Sequence, residues 1–205
     1  MRIRIKSGLL VGSCLALVLF GFATRSYWLE ALADGLVCTG PTEKSDVIVI
    51  ENLDNIYLLF ERAARLHQDG MGGPVIVPVA ATVDPTKPGL VALRIAEVMC
   101  QVARISDPTI MPVTEKEPYS IGLAQQVAAR LQADKVSSVI IVTAGFRSRR
   151  TYLIYRRVLS PLGIRFSVSP VFGNYRPDNW TKSWHGVMDV VVQLVKLQYY
   201  RWVVL

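Results

Sequence analysis

The run Ser138-Val139-Ile140-Ile141-Val142-Thr143-Ala144-Gly145-Phe146-Arg147-Ser148-Arg149-Arg150 decides the fold. Val139 to Val142 are apolar at every position, as in a strand covered on both faces. Gly145 lets the chain turn tightly, and Arg149 to Leu159 then reads as a helix stopped by Pro161 and Gly163. The same alternation extends outward from this run. Asp46 to Ile50, Pro74 to Val79, Thr109 to Val113 and Arg165 to Val171 read as strands. Asn55 to Gln68, Gly89 to Ile105 and Ser120 to Ala133 read as helices. A last helix begins near Ser183 and is expected to turn Trp184, Val187, Val191 and Leu194 inward. Two-sided strands joined by crossover helices predict a doubly wound, mostly parallel α/β sheet of about five strands in three α/β/α layers.

The chain has 205 residues, 51% hydrophobic and 19% charged, which fits one domain of ordinary size and excludes a disordered chain. Ser7 to Thr24 is its one long uncharged stretch, so a polytopic membrane protein is excluded as well. Arg2, Arg4 and Lys6 precede that stretch, and Tyr27 and Trp28 extend it. The layout predicts a basic cytoplasmic tip over 1–6 and a single transmembrane signal anchor over 7–28, with the body beyond the membrane. Gly21-Phe22-Ala23 and Ala31-Leu32-Ala33 also fit a cleavage site, so a removed signal peptide is the competing expectation. Residues 29–45 are expected to form a linker and 46–205 the α/β domain. Cys14 reads as a lipid-facing cysteine, while Cys38 and Cys100 could pair in an oxidising compartment.

The net charge is +7, and the first 24 residues hold three basic and no acidic residues, leaving +4 for the body. No wide basic stripe interleaved with aromatics accompanies it, which speaks against a nucleic-acid partner. No Cys/His spacing recurs, so no metal is expected. No phosphate-binding loop, dinucleotide fingerprint or nucleophile elbow is present, and no cofactor is expected from the residues.

In a doubly wound sheet, ligands bind beyond the carboxyl ends of the strands, where the strand order reverses. Three arginines at a helix N-terminus oppose its dipole unless something anionic sits nearby. Arg147 and Arg150, with Thr143, are therefore candidate ligands for phosphate or carboxylate; the plainer reading pairs one arginine with an acid and solvates the rest. Glu51 and Asn52 follow the first strand at the same edge, and Glu51 could act as a base or pair with an arginine. Glu117 and Ser120 precede the third helix, where capping alone would account for them. Trp180 could stack on a sugar or simply pack, and His185 could serve as general acid or base or be structural. The candidates are thus Glu51, Glu117 and His185 for catalysis, and Asn52, Ser120, Thr143, Arg147, Arg150 and Trp180 for ligand binding. Glu51, Asn52, Thr143 and Arg147 should converge on one cleft, with Glu117 at its rim and Trp180 and His185 approaching from the C-terminal segment. A contact between Glu51 or Glu117 and an arginine is expected.

Over about residues 45 to 202 these features, in order, resemble the bacterial SanA/YdcF/ElyC-like proteins. The most specific part is the strand followed by Thr143, an aromatic, a basic position and Arg150 ahead of a helix; Trp180 in a proline-containing stretch and Lys196 in the last helix also fit. The chain departs from that pattern at Ile50-Glu51-Asn52-Leu53 and Val79-Ala80-Ala81-Thr82, where the family carries glycine pairs, and at Arg147, where it carries histidine. The resemblance implies an inner-membrane, single-pass bacterial envelope protein whose extracytoplasmic domain handles an anionic ligand, such as a phosphorylated lipid-linked saccharide. Whether a reaction follows is left open. The lost glycines give a second expectation, a non-catalytic scaffold for envelope enzymes, and family analogy adds binding of S-adenosylmethionine or a nucleotide.

Overall fold

The structure, a computed structural model, describes Leu15, residues 19–38 and residues 40–205. The basic tip and residues 7–14 and 16–18 of the expected anchor lie outside the described residues. Among the described residues no helix is long and apolar enough to cross a membrane.

Five strands form the sheet: β1 (Val47–Ile50), β2 (Val75–Ala80), β3 (Thr109–Val113), β4 (Ser138–Ala144) and β5 (Arg165–Val171). All neighbours are parallel, in the order β3-β2-β1-β4-β5. The chain runs outward from β1 to β3 and then returns to lay β4 against the other side of β1. That reversal makes the β1/β4 edge the switch point.

Alternation along the strands divides the core. Val47, Val49, Val139 and Ile141 pack on α4 (Tyr119–Ala133) and α5 (Ser148–Leu159). Ile48, Ile50, Ile140 and Val142 face α2 (Tyr57–Gln68) and α3 (Leu90–Ala103) on the opposite side. Each fully buried Ile, Leu or Val contributes roughly 1.5–3 kcal/mol of transfer free energy. The result is the three-layer α/β/α arrangement expected from the two-sided strands.

The sequence reading is corrected at three places. Residues 29–38 are no free linker: α1 (Arg25–Asp34) and the turn after it pack into the body. Ala33, Leu36 and Val37 join Phe146, Trp180, Val190 and Leu197 in a third apolar cluster. The Arg149 N–H donates to the Leu36 carbonyl at 2.9 Å, and the Cys38 N–H to Ser148 Oγ at 2.9 Å. Second, Cys38 and Cys100 do not pair; each is a free, buried thiol, and they belong to the two opposite faces of the sheet. Burial pushes the Cys100 thiol up to about 11, which keeps it inert.

Third, α6 (Trp184–Tyr199) is rotated from its expected register. It buries Gly186, Val190, Gln193 and Leu197, whereas Trp184 is 70% and Val191 44% exposed. Gly186 is the physical reason. A Cβ there would lie 2.3 Å from the Trp180 carbonyl oxygen, so only glycine lets the helix close on the preceding turn. Ser183 caps the helix, accepting from the Gly186 N–H at 3.0 Å. Val187 and Leu194 do lean on the third cluster as expected.

Candidate functional site

Register sets the site. Ile50 pairs with Val142, so the next residues, Glu51 just past β1 and Thr143 still within β4, lie side by side. Glu51 is 1% exposed, and its carboxylate accepts from the Thr143 hydroxyl and, at 2.7 Å, from the Thr151 hydroxyl. Both threonines are fully buried. Thr151 lies in the first turn of α5, so Glu51 ties β1, β4 and α5 together below the surface. One turn on, burial and then the Glu51 charge push the fully buried Tyr155 phenol well above its ordinary range.

After β4 the chain makes a 3₁₀ turn over Gly145–Arg147 and enters α5. A side chain at 145 would drive its Cβ to 2.2 Å from the Phe172 ring, so glycine is required by close approach. The turn buries two arginines at the mouth of the sheet. Arg147 is 6% exposed; its Nη2 donates to Asp54 Oδ2, while Nε and Nη1 have no partner. Arg150 is 5% exposed, lies over the Tyr200 ring at 5.3 Å, and its Nε also has no partner. Burial lowers the Arg150 pKa; Glu51 pulls it back up, and Arg147 depresses it again. Lys196 joins them from α6, with its pKa lowered by burial and then by Arg150 and Arg147.

These three cations line a cleft of about 340 Å³ together with Glu117, Ser120 and Tyr199. Asp54 and Arg147 also line an adjoining cavity of about 220 Å³ beside Phe146, Phe172 and Gln193. Buried guanidinium N–H groups without acceptors are costly, each forgoing a charge-assisted bond of about 1.5–3 kcal/mol. An anion with several oxygens would satisfy them at once.

Some of the expected residues come together. Arg147, Arg150, Glu117 and Ser120 line the cleft, but Glu51 and Thr143 bond to each other below the surface, and neither they nor Asn52, whose Oδ1 is buried and unpartnered, line it as expected. Glu117 Oε2 accepts from the Tyr119 N–H at 3.3 Å, and the Ser120 N–H donates to Tyr200 Oη at 3.3 Å, so Ser120 does not cap its helix. Two more residues stand farther off. His185 is exposed and lines neither cavity, and Trp180 is buried, its indole N–H donating to the Leu29 carbonyl at 3.2 Å. Trp180 is therefore packed where a stacking platform was expected. The arginine's acidic partner is Asp54, in place of Glu51 or Glu117. The start of α5 also offers fewer free N–H groups than expected, since Leu36 takes the one at Arg149.

Asp54 and Tyr200 escaped the sequence reading. Asp54 sits in an irregular loop with no pattern around it, whereas Lys196 and Tyr200 stand four apart on one helical face, a spacing that does signal a shared site. Among the described residues no group of three or more His, Cys, Asp or Glu could hold a metal ion. The arrangement gathers three cations, two of them buried with unpartnered donors, on one cleft. It offers Glu117 as the one carboxylate other than Asp54 on the cleft, and Glu51 is committed to two hydroxyls.

No protein-family model matches the chain, and no curated protein matches it. Among solved structures it is similar to a universal stress protein in complex with cAMP, at 12% identity and a TM-score of 0.41, over 62% of this chain and 98% of that one.

Proposed function

We propose that this chain is a membrane-anchored envelope-biogenesis protein that binds a phosphorylated, lipid-linked saccharide through its diphosphate. The carrying observation is the pair Arg147 and Arg150, both buried, with three guanidinium N–H positions unpartnered on one cleft beside Lys196. Arg147 and Arg150 hold the phosphates, Lys196 adds charge, and Asp54 occupies Arg147 until the ligand displaces it. The bacterial envelope setting rests on the likeness to the SanA/YdcF/ElyC-like proteins and on the anchor pattern of residues 7–28. Anion binding weakens as pH rises through the Lys196 pKa, which lies below its ordinary 10.5.

Calorimetric titration of the full chain in detergent with polyprenyl pyrophosphate tests this reading. The double substitution Arg147→Ala/Arg150→Ala is expected to weaken binding by about 100-fold, from the loss of two or more charge-assisted bonds. Equal affinity in parent and variant would refute it. The same lock on Glu51 supports a second reading, a non-catalytic scaffold, because it leaves Glu117 as the sole acid/base candidate. Complementation separates the two. Full rescue of a deletion strain by the double variant favours the scaffold, and failure of a stably folded variant favours the ligand site.

A further inference from the structure

The outer side of α6 carries an apolar seam that nothing among the described residues covers. Trp184, Met188, Val191, Val195, Tyr199 and Trp202 recur at spacings of three and four, and they are 70%, 41%, 44%, 65%, 45% and 78% exposed. At 100° per residue the five within α6 fall on one stripe, and Trp202 continues the exposed apolar run in the π turn that follows (Tyr200–Val204). Its aromatic members sit towards the ends, with aliphatic residues between. An exposed apolar stripe of this length is a contact surface and not ordinary surface scatter.

The flank of the stripe is basic. Where α6 meets α5, a groove of about 840 Å³ is lined by Arg149, Arg156, Arg157 and Arg201 together with Leu153 and Leu197, and no acidic residue lines it. None of those four arginines makes a salt bridge among the described residues. Gly35, just past α1, lines the same groove, and α1 with the turn after it shares an apolar cluster with α6 through Ala33, Leu36 and Leu197. Tyr27 and Trp28 of α1 are also exposed, at 77% and 51%. The chain thus enters the body beside the helix that bears the stripe.

We propose that α6 is an interfacial helix that rests on an anionic lipid surface, with the stripe among the acyl-chain boundary and the arginine groove at the headgroups. An apolar-aromatic face beside unpaired arginines is the complement of that surface. A second copy of this chain is a poor occupant, because two such faces would bring eight groove arginines together without carboxylates. The consequence for the cleft is geometric. Lys196 reaches the cleft from this same helix and Tyr199 of the stripe itself lines it, so the membrane lies within one helix diameter, ~10 Å, of the cation cluster. The inference stands whether or not the cleft takes a lipid-linked ligand.

The test uses spin labels on the full chain in vesicles of phosphatidylcholine and phosphatidylglycerol. Val195→Cys labels the stripe and Val98→Cys labels an exposed apolar site on α3, both in a Cys14→Ser background; Cys38 and Cys100 are buried. The label at 195 should shift from water-accessible towards oxygen-accessible, and the label at 98 should not. Arg156→Glu/Arg157→Glu/Arg201→Glu should abolish the shift. Water accessibility at 195 equal to that at 98, or persistence of the shift in the charge-reversed chain, overturns the proposal. Dipolar broadening at 195 also overturns it, in favour of a second copy.

Discussion

The two ends of β1 each carry a carboxylate that reaches across to β4, and the two are used in different ways. At the amino end Asp46 accepts from the Ser137 N–H at 2.9 Å, the Ser137 hydroxyl at 2.6 Å and the Ser138 N–H at 2.9 Å. Its own N–H donates to the Ser138 carbonyl and hydroxyl, at 3.1 and 3.0 Å. Every strong group there has a partner in the fold. At the carboxyl end Glu51 is satisfied by Thr143 and Thr151, but just beyond it Arg147 and Arg150 are buried with donors left over. Those leftover donors stand at the carboxyl end of β1, and the Asp46 clamp has none. Satisfied polarity holds the strands in register at one end, and the unpartnered arginines make the other the candidate site.

Substitutions at the two ends should separate these roles. The largest effect is expected from Glu51→Ala, which strips two buried hydroxyls of their acceptor and leaves Arg150 without its nearest compensating charge. Chemical denaturation should show a loss of about 3 kcal/mol. A loss below that of an exposed substitution would mean Glu51 is not the tie between β1, β4 and α5. Next, Gly145→Ala forces a methyl into the Phe172 ring and should cost about 1–3 kcal/mol, with the arginine turn displaced and anion affinity reduced.

Asp46→Asn should cost about 1 kcal/mol, since the clamp is exposed and its bonds are solvent-screened. Its sign with pH is definite. Hydrogen bonds from the Ser137 hydroxyl, then the Ser137 N–H, hold the Asp46 carboxyl below its ordinary 3.8. A depressed folded pKa stabilises fully above the unfolded value, and that share is lost as pH falls through the folded one. The parent and Asp46→Asn should therefore converge in stability in strong acid. The smallest effect is expected from Asp54→Asn, which frees Arg147 of a competitor whose side chain is 56% exposed. Pyrophosphate affinity should rise by a few-fold, with stability changed by less than about 1 kcal/mol.

The fold was legible because its strands are covered on both faces. Val47 to Ile50 and Val139 to Val142 are apolar at every position, and only a buried parallel strand asks for that. The switch-point rule, once the strand order was assumed, put Glu51, Asn52, Thr143 and Arg147 at one edge; Glu51 and Thr143 do meet there, but of the four only Arg147 lines the cleft. What failed concerned direction, which composition does not carry. In α6, apolar residues occupy both the inner and the outer side, so hydrophobicity alone could not say that Val190 faces in and Val191 out; Gly186, pressed against Trp180, was the available signal. Residues 29–38 hold Leu29, Ala33, Leu36 and Val37 at helical spacing, a docking pattern hidden behind the expectation of an anchor. Asp54 was illegible, because a loop aspartate four residues past a strand has no periodicity to place it.

The central claim is that Arg147 and Arg150 are kept unsatisfied for an anion, and a stability titration with inorganic pyrophosphate tests it most directly. Raising pyrophosphate to 100 times its dissociation constant should stabilise the parent by about 2.7 kcal/mol. Arg147→Met/Arg150→Met should lose that gain while remaining folded, since relief of two desolvated like charges offsets the lost Asp54 pair and the lost counter-charge to Glu51. The same pyrophosphate-dependent gain in both proteins would contradict the account.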